Sequence, residues 1–267
     1  MSTDTVADAV AAVTESQATA AVRATELHAA QGADWATAVQ HTVRALLHRL
    51  AHSHGLRAPE LPYPPCPGAE AALDGIGPLA GWTVLHVGEV HQQLLRLELG
   101  ADGRARRPRG ATARDRQGSW YTPQPLALAA SRLALEVAAS RLLDDGDPDE
   151  ILRLRVVDPA CGAGVFLIEG ARVVADAYAR ALAGTEEPPP LLVRKLMPEI
   201  FYECVFGVDI DPVAIDLSRM ALWLELDGRF PLDWLDGNIA CLDPLAGPDE
   251  LPPRLRKVLG ERQVYAA

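Results

Sequence analysis

The stretch Leu154-Arg155-Val156-Val157 leads into Asp158, then through Pro159-Ala160-Cys161-Gly162-Ala163-Gly164 into a segment with helical periodicity. An apolar run ending in an acid, two glycines one residue apart and a following helix make a sharp strand-to-helix turn. Such a turn presents backbone N–H groups to a ligand, and its glycines allow positive φ and close approach of the ligand to the main chain. A dinucleotide fingerprint would place a third glycine three residues after Gly164. Leu167 stands there, which weakens a nicotinamide or flavin reading.

The flanking sequence predicts an α/β protein with a parallel sheet. A helix is predicted over Gly164 to Leu182 and a short one over Leu191 to Met197, after Pro188-Pro189-Pro190. Phe201 to Val208 reads as a buried strand ending in Asp209. Pro212 to Leu226 reads as a helix with proline in its first turn, and Leu232 to Leu235 as a third strand ending near Asp236-Gly237-Asn238. Strand and helix in alternation imply parallel strands joined by crossovers. Asp209 closes the second strand, where an acid can accept hydrogen bonds from both hydroxyls of a ribose.

Upstream, Thr5 to His52 is Ala-rich and free of proline, and its apolar spacing predicts two helices parted near Gly32. Pro59 to Pro67 is dense in proline and reads as an extended linker. Val84 to Leu97 and Pro125 to Leu143 read as helices. Between them Arg104, Arg106, Arg107, Arg109, Arg114 and Arg116 lie in a stretch without apolar period, read as an exposed loop. The domains expected are a helical region (1–58), a Pro/Gly-rich linker (59–83), a helical segment with the basic loop (84–148) and an α/β subdomain (149–267).

Of 267 residues, 49% are hydrophobic, enough for a sizeable core, and 25 basic against 36 acidic residues give a net charge of -11. That balance argues against the whole chain being a DNA clamp, which shows a basic face. Cys66, Cys161, Cys204 and Cys241 are scattered, with no Cys-x-x-Cys pair. A reducing, cytoplasmic setting is expected and a metal site is not. His48 and His52 share a helical face but lack a nearby acid or cysteine cluster. No segment reaches the roughly 18 apolar residues of a membrane span.

Val157 to Leu167 resembles the first motif of the gamma-type adenine-specific (N6) DNA methyltransferases. That group includes type I modification subunits and fused restriction–modification enzymes. Phe206-Gly207-Val208-Asp209-Ile210-Asp211-Pro212 resembles their second motif and Asp236 to Pro244 their third. Gly118-Ser119-Trp120-Tyr121-Thr122-Pro123 is similar to the Tyr-Thr-Pro motif upstream, and Val87 to Leu95 to the helix before it. The resemblance covers about residues 84 to 245. It implies an incomplete class I, Rossmann-like methyltransferase sheet with an N-terminal helical extension, and S-adenosyl-L-methionine as cofactor.

The residue roles that follow from the resemblance are these. Thr122 bonds the methionine carboxylate, with Tyr121 and Pro123 shaping the pocket. Asp158 takes the ammonium, and Ala160, Gly162 and Gly164 line the methionine by main chain. Asp209 holds the ribose hydroxyls, Ile210 packs on adenine, Asn238 contacts the adenine amine, and the Ile239 backbone lies beside it. Each pairing suits the groups: acceptors meet ammonium and hydroxyls, and a hydroxyl donor meets a carboxylate. Cys161 is a spacer.

The family's catalytic loop, Asn/Asp-Pro-Pro-Tyr/Phe, does not occur. Leu251-Pro252-Pro253-Arg254 and Tyr63-Pro64-Pro65-Cys66 have only the prolines. No catalytic residue is therefore assigned. The expectation is a split or truncated enzyme of a restriction–modification or phage-defence system, inactive alone, with the sheet stopping after three strands. DNA would be engaged through other segments or through a second chain carrying the catalytic loop and target-recognition domain. The rival readings are a non-catalytic module binding cofactor or partner, and a methyltransferase acting on RNA, protein or a small molecule.

Overall fold

The computed structural model describes residues 13–57, 60–110, 112, 122–144, 146–245, 251–260 and 265–266. The chain divides into two compact units, Met1–Tyr121 and Thr122–Ala267.

In the first unit, α1 (Glu15–Ala29) opens on a capping box, with Thr14 and Gln17 satisfying each other's backbone N–H. α2 (Trp35–Ser53) starts at Asp34, whose carboxylate accepts from the Thr37 N–H at 2.7 Å. Gly32, with φ of 99°, makes the turn between them, at the break the sequence predicts. Ala21, Ala24, Ala38 and Ala45 are fully buried, so small side chains let α1 and α2 pack closely; the Thr25 and Thr42 hydroxyls pair across them at 2.9 Å.

The region 59–83, expected as a Pro/Gly-rich linker, contains α3 (Pro67–Leu73), followed by a 3-10 turn at Asp74–Ile76. Pro67 sits at a helix start, where a missing N–H costs nothing, so proline density marked a beginning as well as an end. α4 (Val84–Leu94) follows. Part of the arginine run is also ordered: β1 (Glu98–Leu99) and β2 (Ala105–Arg106) form an antiparallel hairpin. Glu26 accepts from the Ala105 N–H at 2.9 Å and pairs with Arg104 at 3.4 Å. Arg114 and Arg116 lie outside the described residues.

His28 is 1% exposed, and neither of its ring nitrogens has a hydrogen-bond partner among the described residues. Its ring packs edge-on against His41 and Tyr63, and the Tyr63 hydroxyl donates to Glu70 at 2.9 Å. Burial, then the His41 charge, lowers the His28 pKa from its ordinary 6.5, and burial is the first cause of the lowered values at His41, His48 and His86. Each folded-state value lies below the unfolded one. The stabilisation from neutral imidazoles is therefore fully present above pH 6.5 and is lost as pH falls below it, because the unfolded chain takes up the protons first. Thermal melts at pH 7.5 and 5.5 should show the first unit less stable at the lower pH, with His28→Leu reducing the difference. An unchanged pH response in His28→Leu would remove His28 as a contributor.

The second unit begins with α5 (Gln124–Leu143), then a 3-10 segment, Pro148–Arg153. β3 (Val156–Asp158) leads through the glycine turn into α6 (Val165–Ala183). α7 (Pro190–Cys204) runs directly into β4 (Val205–Asp209), and α8 (Pro212–Glu225) follows. A 3-10 turn (Leu232–Leu235), β5 (Ile239–Cys241), α9 (Pro253–Gly260) and β6 (Tyr265–Ala266) complete it. The sheet is parallel, in the order β5-β4-β3-β6.

Three sequence expectations change here. The strand expected over Phe201 to Val208 is split: Met197, Ile200, Phe201 and Cys204 recur at helical spacing and are buried as the last turns of α7, and only Val205 onward is strand. The third strand is not Leu232–Leu235, which is a 3-10 turn, but Ile239–Cys241. The sheet does not stop at three strands, because β6 pairs with β3.

Alternation along the strands divides the core. Val156, Val205 and Ile239 pack with residues of α5, α6, α7 and α8. Val157, Phe206, Val208 and Ala240 pack with Leu251 and with Leu255 and Val258 of α9. Helices thus cover both faces, as buried parallel strands require. No helix among the described residues is long and apolar enough to cross a membrane, and no cluster of three or more His, Cys, Asp or Glu there is placed to hold a metal.

Candidate cofactor site

Ligands of parallel α/β sheets bind beyond the carboxyl ends of the strands. At those ends stand Asp158 on β3, Asp209 on β4 and, past β5, Leu242 and Asp243. The register sets Asp158 beside Gly207 and Asp209 beside Cys241.

The glycine turn is built onto this edge. Asp158 accepts from the Ala160 N–H at 3.0 Å, and the Cys161 N–H donates to the Val208 carbonyl at 2.9 Å. Gly162 N–H donates to Asp209 Oδ2 at 2.9 Å, while Asp209 Oδ1 takes the Asp211 N–H at 2.9 Å. Gly164 has φ of 80° and caps α6 in the left-handed region, which an L side chain adopts only at a cost. Gly207 makes the close approach possible: a Cβ there would lie 2.8 Å from Leu167 Cδ1 and 3.1 Å from Cys161 Cβ.

Asp158 is 7% exposed. Burial, followed by the nearby Asp209 charge, pushes its carboxyl above the usual range, with the Ala160 N–H opposing. Two carboxylates at one end of the sheet, one of them desolvated, create a site that a cation relieves. Ile210, next to Asp209, is a large apolar side chain 60% exposed at this end. The Cys161 thiol is buried against Ser218, and burial pushes it up to about 12, so it stays protonated and packs as a small apolar group.

Of the residues singled out from sequence, Asp158, Ala160, Gly162, Gly164, Asp209 and Ile210 therefore meet at one edge. Thr122 and Pro123 open α5, whose Gln124 side chain donates to the buried Glu169 of α6 at 2.8 Å. This bond ties the start of α5 to the helix that the glycine turn begins. Tyr121 lies outside the described residues.

Asn238 and Ile239 do not join this group. Asn238 precedes β5, at the end of the sheet away from Asp209, and is 1% exposed. Its amide nitrogen faces the carbonyls of Phe201, Tyr202 and Val205 at 3.1, 2.8 and 2.9 Å, locking the α7–β4 junction. Ile239 is fully buried in the core. The residues at the tip are Cys241, Leu242, whose N–H donates to the Asp209 carbonyl at 3.0 Å, and the exposed Asp243. Asp243 follows the strand Ile239-Ala240-Cys241, which begins seven residues after the strand expected at Leu232–Leu235. A surface cleft lined by Glu136, Ser140, Arg180 and Glu186 belongs to the other end of α6 and has no part in this edge.

Residues 109–227 match the family model for N-6 DNA Methylase. A protein of Methanocaldococcus jannaschii described as a type II restriction enzyme and methyltransferase is 29% identical over 109 residues, which is 37% of this chain and 9% of that protein. The chain thus matches less than a tenth of that relative's length. Among solved structures, the Type IIL restriction-modification enzyme MmeI in complex with DNA has a TM-score of 0.44 at 17% identity, covering 86% of this chain and 39% of that one.

Proposed function

We propose that this chain, N-6 DNA methylase-like over residues 109–227, binds S-adenosyl-L-methionine for methyl transfer to the N6 amine of adenine in DNA, within a restriction–modification or phage-defence system. One observation carries the reading: Asp158 and Asp209 stand at adjacent strand ends, joined by a glycine turn whose Gly162 N–H is held by Asp209. The donor set fits the cofactor. The desolvated Asp158 suits an ammonium, Asp209 keeps lone pairs for two ribose hydroxyls, and exposed Ile210 offers an apolar surface to an adenine ring.

The bound cofactor would supply an electrophilic methyl group on sulfonium. This chain's residues bind and orient it. Thr122 would donate to its carboxylate, and main chain at Ala160, Gly162 and Gly164 would line it. For the adenine amine, Asp243 is the better acceptor than Asn238, being exposed two residues beyond the partner of Asp209. The group that would receive the target adenine, an Asn/Asp-Pro-Pro-aromatic loop, is not in the 267 residues. We assign it to further polypeptide or to a second chain.

Titration calorimetry with S-adenosylmethionine tests the pocket, and methylation assays on adenine-containing duplex DNA test the division of labour. The chain alone is expected to bind the cofactor and not to methylate. Robust transfer by the chain alone would overturn the second part. Asp243→Ala is expected to weaken binding by about tenfold, one lost hydrogen bond to a charged acceptor; an unchanged affinity would remove Asp243 from the site.

A further inference from the structure

We propose that Ser218 on α8 is a positioning residue for the glycine turn, setting the direction of the Ala163 N–H as a main-chain donor to the bound ligand. The proposal rests on the cofactor reading above and adds to it a residue outside the recognised motifs.

Ser218 is fully buried in the middle of α8. A helical serine commonly returns its hydroxyl to the carbonyl four residues back. Ser218 instead donates to the Gly162 carbonyl at 2.6 Å, 56 residues away in sequence. Its oxygen also lies 3.4 Å from Cys161 Sγ. The helix backbone comes close enough that a Cβ on Gly164 would meet Ser218 Cα at 3.2 Å. Ser218 therefore meets the turn at Cys161 and Gly162 and lies close behind Gly164.

The consequence follows from peptide planarity. The Gly162 carbonyl and the Ala163 N–H belong to one plane and point in opposite directions. Drawing the carbonyl toward α8 turns the Ala163 N–H away from it. The preceding peptide is fixed independently, since Gly162 N–H is held by Asp209, and the Gly164 N–H closes the turn onto the Cys161 carbonyl at 2.8 Å. Gly162 has φ of 54°, and without a Cβ its torsions resist rotation of this plane little. The hydroxyl of Ser218 is what sets that plane.

The test uses the full chain, Ser218→Ala, and Tyr178→Phe as a control. Tyr178 loses a comparable hydrogen bond, to Asp149 at 2.6 Å, toward the other end of α6. Calorimetry with S-adenosylmethionine is paired with thermal melts and with deuterium exchange over residues 160–164 in the ligand-free chain. Ser218→Ala is expected to bind about tenfold more weakly and to exchange faster over the turn. Tyr178→Phe should lower the melting temperature and leave both readouts unchanged. Where the alanine variant gives no folded protein, Ser218→Cys, of similar volume and weaker as a donor, should move both readouts the same way. Binding by the parent with unchanged affinity or unchanged exchange in the Ser218 variant overturns this proposal alone, as does an equal loss of affinity in Tyr178→Phe. No binding by the parent overturns the cofactor reading and this proposal with it.

Discussion

Replacing Asp209 with alanine is expected to weaken S-adenosylmethionine binding by about 1–3 kcal/mol, roughly 5- to 150-fold. A carboxylate offers about four lone-pair sites. Two are taken by the Gly162 and Asp211 N–H groups, which leaves room for the two ribose hydroxyls. Alanine removes the ligand's acceptors and frees the Gly162 N–H together, so the turn loosens as the contacts are lost. Asp209→Asn separates the two effects, keeping one acceptor and presenting an amide where the other stood. It should fall between the parent and the alanine variant. Calorimetry reads the affinity and a melt reads the fold. An Asp209→Ala protein that melts like the parent and binds equally well would take Asp209 out of the site.

Asn238→Ala is expected to act on stability first, at a cost of about 3 kcal/mol, with a melting temperature roughly 6–12 °C lower for the second unit. Three carbonyls around the α7–β4 junction share the amide of Asn238. In a buried site their desolvation is not repaid by water once that donor is removed. A second brace stands beside it: Arg254 donates to the Tyr202 carbonyl at 2.6 Å and lies 4.0 Å over the Tyr202 ring, linking α9 to the same junction. Any loss of cofactor affinity in Asn238→Ala should therefore track the unfolded fraction and vanish when binding is measured well below the melting temperature. A large affinity loss in fully folded Asn238→Ala, with little change in stability, would restore Asn238 as a ligand contact.

These two residues divide what could be read in advance. Asp209 was legible because its neighbours are local: a short apolar run ends in an acid, and a proline opens the next helix. The same locality exposed Asp158, Gly162 and Gly164, and the N-terminal helix pair with its turn at Gly32. The strand beside Asn238 is harder to place, because apolar content alone does not locate it. Leu232-Asp233-Trp234-Leu235 and Ile239-Ala240-Cys241 are both short runs with apolar residues, and nothing local says which will pair. Phe230 and Trp234 stack at 4.3 Å and Trp234 on Tyr202 at 5.8 Å, so the first run serves as a turn against α7 and the second enters the sheet. α7 reaches further than the sequence expectation because Phe201 to Val208, mostly apolar, suits helix and strand alike, and burial of Met197, Ile200, Phe201 and Cys204 decides for helix up to Cys204.

The sequence alone determined the strand–turn–helix around Asp158 to Gly164. Glycine torsions and β-branched preference act over a few residues and need no partner. It also determined that Asp209 ends a second such unit. Tertiary structure alone decided that Asp209 reaches back 47 residues to hold Gly162, that Ser218 grips the same glycine from behind, and that Asn238 faces inward while Asp243 stands at the strand tip. Those outcomes depend on which strands pair and in what register. A shift of one residue along a strand exchanges its faces, and the energy that selects the register comes from burial of residues far apart in the chain.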